Sequence, residues 1–188
     1  LTAADTNGYL MQGVLVFANA AARTAAVTSP QEGQTSYLKD TDEIQVYSGS
    51  AWVTKSGSTP TSAVATVATD EQTSSSSYTD LTTSGPAVTL TTGTKVLVIM
   101  SALAYTDGAN QQASVDFAVS GATTRAASDA TRLSIRGAGA GITMTRASSA
   151  SRITVTAGSN TFTAKYKTSA AGTAYFSDRQ ILVIDLGS

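Results

Sequence analysis

Apolar and polar residues alternate along most of the chain, which is the pattern of strands with one buried face. In Val115–Val119 and again in Phe162–Tyr166, every second residue is apolar. Glycine turns such as Thr92-Gly93 and Asp107-Gly108 separate segments of this kind. No helical periodicity interrupts residues 63–188, so this part is predicted to be an antiparallel β-sandwich of the jelly-roll type.

The strands predicted for this sandwich are short and flanked by turn residues. The stretch Ala63–Ala68 could be the first of them. The clear ones are Ala87–Leu90, Lys95–Ala104, Ala113–Val119, Arg132–Ile135, Ile142–Thr145, Ile153–Thr156, Thr161–Lys167 and Arg179–Asp185.

Residues 1–55 have a different pattern, which begins with the one helical candidate in the sequence. The segment Phe17–Val27 is rich in alanine, the best helix former, and Asn19 can cap its start. Pro30 and Gly33 then end the helix.

Three short strands, Gln34–Leu38, Ile44–Tyr47 and Ala51–Thr54, should follow as a β-meander. A meander this small is marginal alone and needs a packing partner. Residues 1–55 are therefore interpreted as an attachment and assembly segment, joined to the sandwich by a linker at 56–62.

Composition and charge narrow the possible partners. Charged residues are 13% of the chain and the formal net charge is −1, without the basic patch that a nucleic-acid-binding protein uses against phosphates. The longest apolar run, Val96–Met100, is far shorter than a membrane span. We expect neither nucleic-acid binding nor membrane insertion.

The sequence has no histidine and no cysteine. It therefore lacks the residues of Ser-His-Asp and Cys-His catalysis and of Cys/His zinc sites. The acidic segments Asp40–Glu43 and Asp70-Glu71 contain only a few residues each. Adjacent carboxylates on a strand face opposite sides of the sheet, so they do not converge on one site. We expect no enzyme activity, no cofactor and no metal.

Spaced positions in the first segment resemble a known class of proteins. The pattern runs from Phe17–Arg23 through Pro30, Glu32-Gly33, Tyr37-Leu38 and Asp40-Thr41 to Val46-Tyr47 and Gly49–Val53. It resembles segments of tail-fibre, minor-tail and other minor structural proteins of tailed bacteriophages. The later segments Tyr78–Thr94, Phe117–Thr124, Ala157–Lys167 and Phe176–Gly187 resemble phage knob modules.

The resemblance implies a surface appendage of the phage virion that forms a homotrimer with a tumour-necrosis-factor-like knob. It implies a place on the tail, touching the host surface, or on the head, as a capsid decoration or head fibre. A carbohydrate-binding module is a further alternative. The candidate assembly and attachment residues are Phe17, Arg23, Tyr37, Leu38, Asp40, Tyr47 and Trp52.

A second set of candidates lies in the predicted loops of the sandwich. If the chain contacts a host cell-wall glycan, we expect the exposed residues of these loops to make that contact. They are Asp107, Asn110, Gln111 and Arg136.

Overall fold

The computed structural model describes residues 13–55, 60–137, 144–169 and 172–187. Over these ranges the chain forms thirteen strands and one helix, so the all-β prediction is confirmed. The chain divides into two compact units, Leu1–Thr59 and Pro60–Ser188. We call them the N-terminal unit and the C-terminal unit and describe each by itself.

The N-terminal unit is one four-stranded sheet with a helix, in the strand order β1-β2-β3-β4. Strand β1 runs parallel to β2, and the other neighbours are antiparallel. The elements are β1 Leu15–Phe17, α1 Ala20–Ala26, β2 Thr35–Leu38, β3 Glu43–Tyr47 and β4 Trp52–Thr54.

The predicted helix and meander are confirmed, and the structure adds a strand. The Asn19 side-chain oxygen accepts a hydrogen bond of 2.8 Å from the Ala22 amide, as a helix N-cap does. Strand β1 was not predicted, because three residues are too few to show a period. The helix α1 is the crossover that lets β1 lie parallel beside β2.

The C-terminal unit is a sandwich of two antiparallel sheets. The front sheet has the order β11-β8-β13-β5, with β6 also paired to β13, and the back sheet has the order β10-β9-β12-β7. The strands are β5 Ser62–Val67, β6 Glu71–Thr73, β7 Ala87–Thr92, β8 Lys95–Thr106, β9 Gln112–Gly121, β10 Leu133–Arg136, β11 Thr145–Thr154, β12 Gly158–Thr168 and β13 Ala174–Asp185.

The chain crosses repeatedly from one sheet to the other, as in a jelly roll. Two crossings, between β7 and β8 and between β11 and β12, lie side by side. Asn160 is fully buried there, and its amide nitrogen donates to Thr92 Oγ1 at 3.0 Å and to the Thr156 carbonyl at 2.9 Å. The Asn160 side chain thus links the two crossings by hydrogen bonds.

The prediction of separate strands at Ile142–Thr145 and Ile153–Thr156 is wrong. A single strand, β11, pairs with β8 along its whole length, from Thr145 opposite Ala104 to Thr154 opposite Lys95. Its middle is serine and alanine, which have no apolar alternation to detect, so pairing with a long neighbour decides the conformation. Residues 142 and 143 lie outside the described ranges.

The core lies between the two sheets and is built from the inward residues of β8, β9, β12 and β13. Phe117 and Phe162 are fully buried, with ring centroids 6.2 Å apart. Other members of the core include Val96, Val98, Met100, Val115, Tyr166, Phe176, Ile181 and Val183.

A carboxylate on the outer side of the back sheet holds the loop between β9 and β10. Asp116 is fully buried and accepts hydrogen bonds from the Ser128 amide at 2.7 Å and from Thr131 Oγ1 at 2.6 Å. Arg125 pairs with it at 3.2 Å. The loop thus buries this carboxylate and also supplies the partners that a buried charge requires.

The same loop gives a pH-dependent prediction through Asp129. Hydrogen bonds from Lys167 and Arg132, both at 2.7 Å, lower the pKa of Asp129 to about 2. An unfolded aspartate has a pKa of about 3.9. Ionised Asp129 therefore adds stability above about pH 4, and that stability is lost as the pH falls toward 2.

We expect Asp129→Asn to lower the melting temperature at pH 5. Between pH 4 and pH 2, the melting temperature of this variant should fall less than that of the unsubstituted protein. Circular dichroism melts at each pH compare the two proteins. Parallel pH curves for the two proteins would contradict this role of Asp129.

Candidate assembly surfaces

The helix of the N-terminal unit covers one face of its sheet, which we call the helix face. Arg23, on α1, is only 6% exposed. Its guanidinium lies 4.4 Å from the centre of the Trp52 ring and donates to Gln45 Oε1. The Trp52 ring in turn packs on Tyr47 at 5.5 Å. These three candidates therefore form the interior of the unit.

Three more candidates also have roles inside the unit. Phe17 and Leu38 are opposite each other on β1 and β2, and Leu38 is almost completely buried. The Asp40 amide donates to the Ala18 carbonyl at 3.1 Å, which ties the turn after β2 to β1. Most residues of the motif that resembles phage segments thus stabilise the fold of this small unit.

Tyr37 alone among these candidates lies on the other side of the sheet, which we call the open face. The strand register puts Val16, Tyr37 and Ile44 in one row across β1, β2 and β3, and Val46 beside Val53 in another. Val16, Ile44 and Val53 are 54%, 44% and 41% exposed. The Tyr37 hydroxyl donates to Asp42 at 2.5 Å at the edge.

The front sheet of the C-terminal unit also has an apolar outer face. Val64, Leu182 and Ile99 form a row across β5, β13 and β8, and Ile184 and Leu97 lie side by side in the next row. Val64 is 57% exposed, and the other four side chains are partly exposed. The sequence shows that apolar and polar residues alternate along each strand. The strand register is needed to show that these apolar residues are neighbours on one face.

The back sheet provides an internal comparison. Its outward residues on β12 are Thr161, Thr163, Lys165 and Lys167, and Thr161 bonds across to Thr89 of β7 at 2.8 Å. Threonine and lysine are what a solvent-facing strand normally carries. The aliphatic outer face is therefore specific to the front sheet.

One end of the front face carries an aromatic pair. Tyr105 and Tyr175 lie opposite each other on β8 and β13 and stack with centroids 4.4 Å apart and ring planes 2° from parallel. Partial burial, and secondly the negative charge of Asp70, raise the pKa of Tyr105. The carboxylate of Asp70 thus influences the Tyr105 hydroxyl, at the end of the front face beside β6.

Charges of opposite sign flank the front face. The edge strand β11 presents exposed Arg146 and Arg152, and Arg146 lies 3.4 Å from Asp178 of β13. The connection between β5 and β6, at the other edge, carries the exposed Asp70. The sheet thus has a basic edge and an acidic edge.

The four loop candidates meet at one end of the sandwich. Asp107 Oδ1 accepts from the Thr173 amide at 3.0 Å, an interaction that lowers the pKa of this carboxyl. The Asn110 amide donates to the Gly137 carbonyl at 2.9 Å, and the Gly137 amide donates to the Gln111 carbonyl at 3.0 Å. Arg136 precedes Gly137 and is exposed. Residues 138–141 of the predicted loop lie outside the described ranges.

Within the described ranges, no three acidic side chains are grouped so that they could hold a metal ion. Those ranges also contain no helix with the length and hydropathy of a transmembrane span.

Solved structures to which the chain is similar include the following three. The infectious bursal disease virus VP2 subviral particle has 17% identity and a TM-score of 0.46 over 84% of this chain and 41% of that chain. The Gx strain of that virus has 14% identity and a TM-score of 0.41 over 73% and 39%. Eiger TNF from S. frugiperda has 13% identity and a TM-score of 0.42 over 69% and 95%.

The chain spans about two fifths of the length of the two viral chains. No protein-family model matches the sequence, and no curated protein matches it. Similarity at these identities and TM-scores assigns neither a family nor a function to the chain.

Proposed function

We propose that this chain is a non-enzymatic structural protein of a bacteriophage particle, a trimeric appendage on the tail surface. The aliphatic outer face of the front sheet carries the self-assembly part of this proposal. The phage assignment rests on the sequence resemblance of residues 17–53 and of the knob segments.

The size of the front face suits association with other copies. Four strands at a spacing of about 4.8 Å and a length of roughly 35 Å give about 650 Å² per copy. Three such faces that meet around one axis bury about 2,000 Å² in all, which is comparable with the area of a stable protein interface. The size thus supports other copies of the chain as the partner.

The charges at the edges suit a contact between unlike edges of neighbouring copies. In a cyclic assembly, the arginine edge of one copy approaches the acidic edge of the next, and each copy uses both edges. A two-fold pair that joined basic edges would instead bring Arg152 close to its own counterpart. The trimer implied by the resemblance agrees with the ring.

Labelled particles test the place of the protein in the virion. Antibodies against the C-terminal unit, followed by negative-stain imaging of intact phage, should mark the tail. Label confined to the capsid would replace the tail proposal with head decoration. Particles that carry no label, although the same antibody detects the purified protein, would overturn the virion proposal.

A further inference from the structure

We infer that a groove on the outer face of the back sheet binds a neutral oligosaccharide. The groove lies over β9 and β12, between the connection from β6 to β7 and the loop between β9 and β10. It is formed within the C-terminal unit of one chain. The inference therefore does not depend on self-assembly, and it adds a ligand to the proposed function.

The groove consists of two adjoining depressions, which share Tyr78 and Ala127 in their linings. Their volumes are about 360 and 420 Å³, within the range of small-molecule sites. The Tyr78 hydroxyl donates to Asp129 Oδ1 at 3.0 Å, a hydrogen bond that joins the two sides of the groove. Small side chains leave the space open. Ala118, Ala126 and Ala127 all belong to the lining.

Each depression contains a lysine of β12 that is unusually well covered. The side chains of Lys165 and Lys167 are only 23% and 19% exposed, although a lysine on an outer strand face normally extends into solvent. Lys165 pairs with Asp80, and Lys167 pairs with Asp129, each at 2.7 Å. The two carboxylates remain 41% and 51% exposed. Their oxygens are therefore accessible to a ligand in the groove.

The charges in the lining suit a neutral ligand that carries hydroxyl groups. Each depression is lined by one ammonium and one carboxylate, and Arg132, which also pairs with Asp129, lines neither. A sugar hydroxyl can donate to the carboxylate and accept from the ammonium at the same time. Such charge-assisted hydrogen bonds are stronger than those between neutral groups. An apolar ligand would instead bury both charges without new partners.

The spacing of the two lysines suits a ligand of more than one sugar unit. They are two residues apart on one face of β12, so their Cα atoms lie about 6.6 Å apart. The partly exposed ring of Tyr78, 4.8 Å from Lys167 Nζ, offers apolar surface for the C–H groups of a pyranose. Further hydroxyl groups line the two depressions, from Ser76, Ser77, Thr79 and Ser128.

An array of immobilised oligosaccharides tests the inference. Its neutral members are cello-, malto-, manno- and chito-oligosaccharides, and its acidic members are oligogalacturonates. We expect the purified chain to bind at least one neutral member. Ala127→Phe fills space that borders both depressions, so it should lower the affinity for that oligosaccharide at least tenfold in calorimetric titration.

Ala87→Phe is the matched control, because Ala87 is exposed on the same sheet and lines neither depression. Circular dichroism melts show whether each variant keeps its fold. If Ala127→Phe does not, Lys165→Met takes its place, since it removes an ammonium and keeps an unbranched side chain. Binding to no neutral member, binding to acidic members alone, or equal affinity of the groove variant and the control would overturn this inference. None of these results alters the particle labelling or the solution mass that test the proposed function.

Discussion

Replacing Asp116 with alanine is expected to lower the free energy of unfolding by about 3–5 kcal/mol, the usual cost of breaking a buried ion pair. The side chain is fully buried and accepts from Ser128, Thr131 and Arg125. Its loss leaves the donors of the β9–β10 loop unsatisfied. Urea unfolding followed by circular dichroism measures the change.

Asp80→Ala is the control for this substitution. Asp80 also pairs with a cation, Lys165 at 2.7 Å, but its side chain is 41% exposed. Exposed pairs contribute about 1 kcal/mol or less. Equal losses of unfolding free energy in the two variants would show that the contribution of Asp116 to stability does not depend on its burial.

Leu182→Glu is expected to dissociate the proposed trimer and to weaken association by at least a hundredfold. Leu182 lies in the centre of the apolar row between Val64 and Ile99. In each copy of a ring the substitution would bury a carboxylate with no partner, which costs several kcal/mol. Sedimentation velocity over a range of concentrations measures the dissociation.

The matched control is Thr163→Glu, on the outer face of the back sheet. Thr163 is partly exposed and lies within a long strand, as Leu182 does. It faces away from the proposed interface, so its substitution should leave the oligomer intact. Dissociation by Thr163→Glu alone would move the interface to the back sheet.

Much of the fold could be predicted because local signals agree with the final structure. Alternation along Val115–Val119 and Phe162–Tyr166 located two core strands, and Asn19 marked the helix start. Strand β11 escaped detection, since its serines and alanines take their conformation from pairing with β8.

The surfaces were harder to predict than the elements. Trp52 and Arg23 belong to the predicted attachment motif, yet they fill the inside of a small unit. The open face and the front face depend on register, which places Ile44 beside Tyr37 and Leu182 beside Ile99. One sequence gives each strand its alternation but does not say which strands become neighbours.

The mass of the purified chain in solution tests the central claim most directly. Light scattering coupled to size exclusion, at concentrations from micromolar upward, should give three times the 19.1 kDa of one chain. A mass of 19.1 kDa at every concentration would contradict assembly through the front sheet.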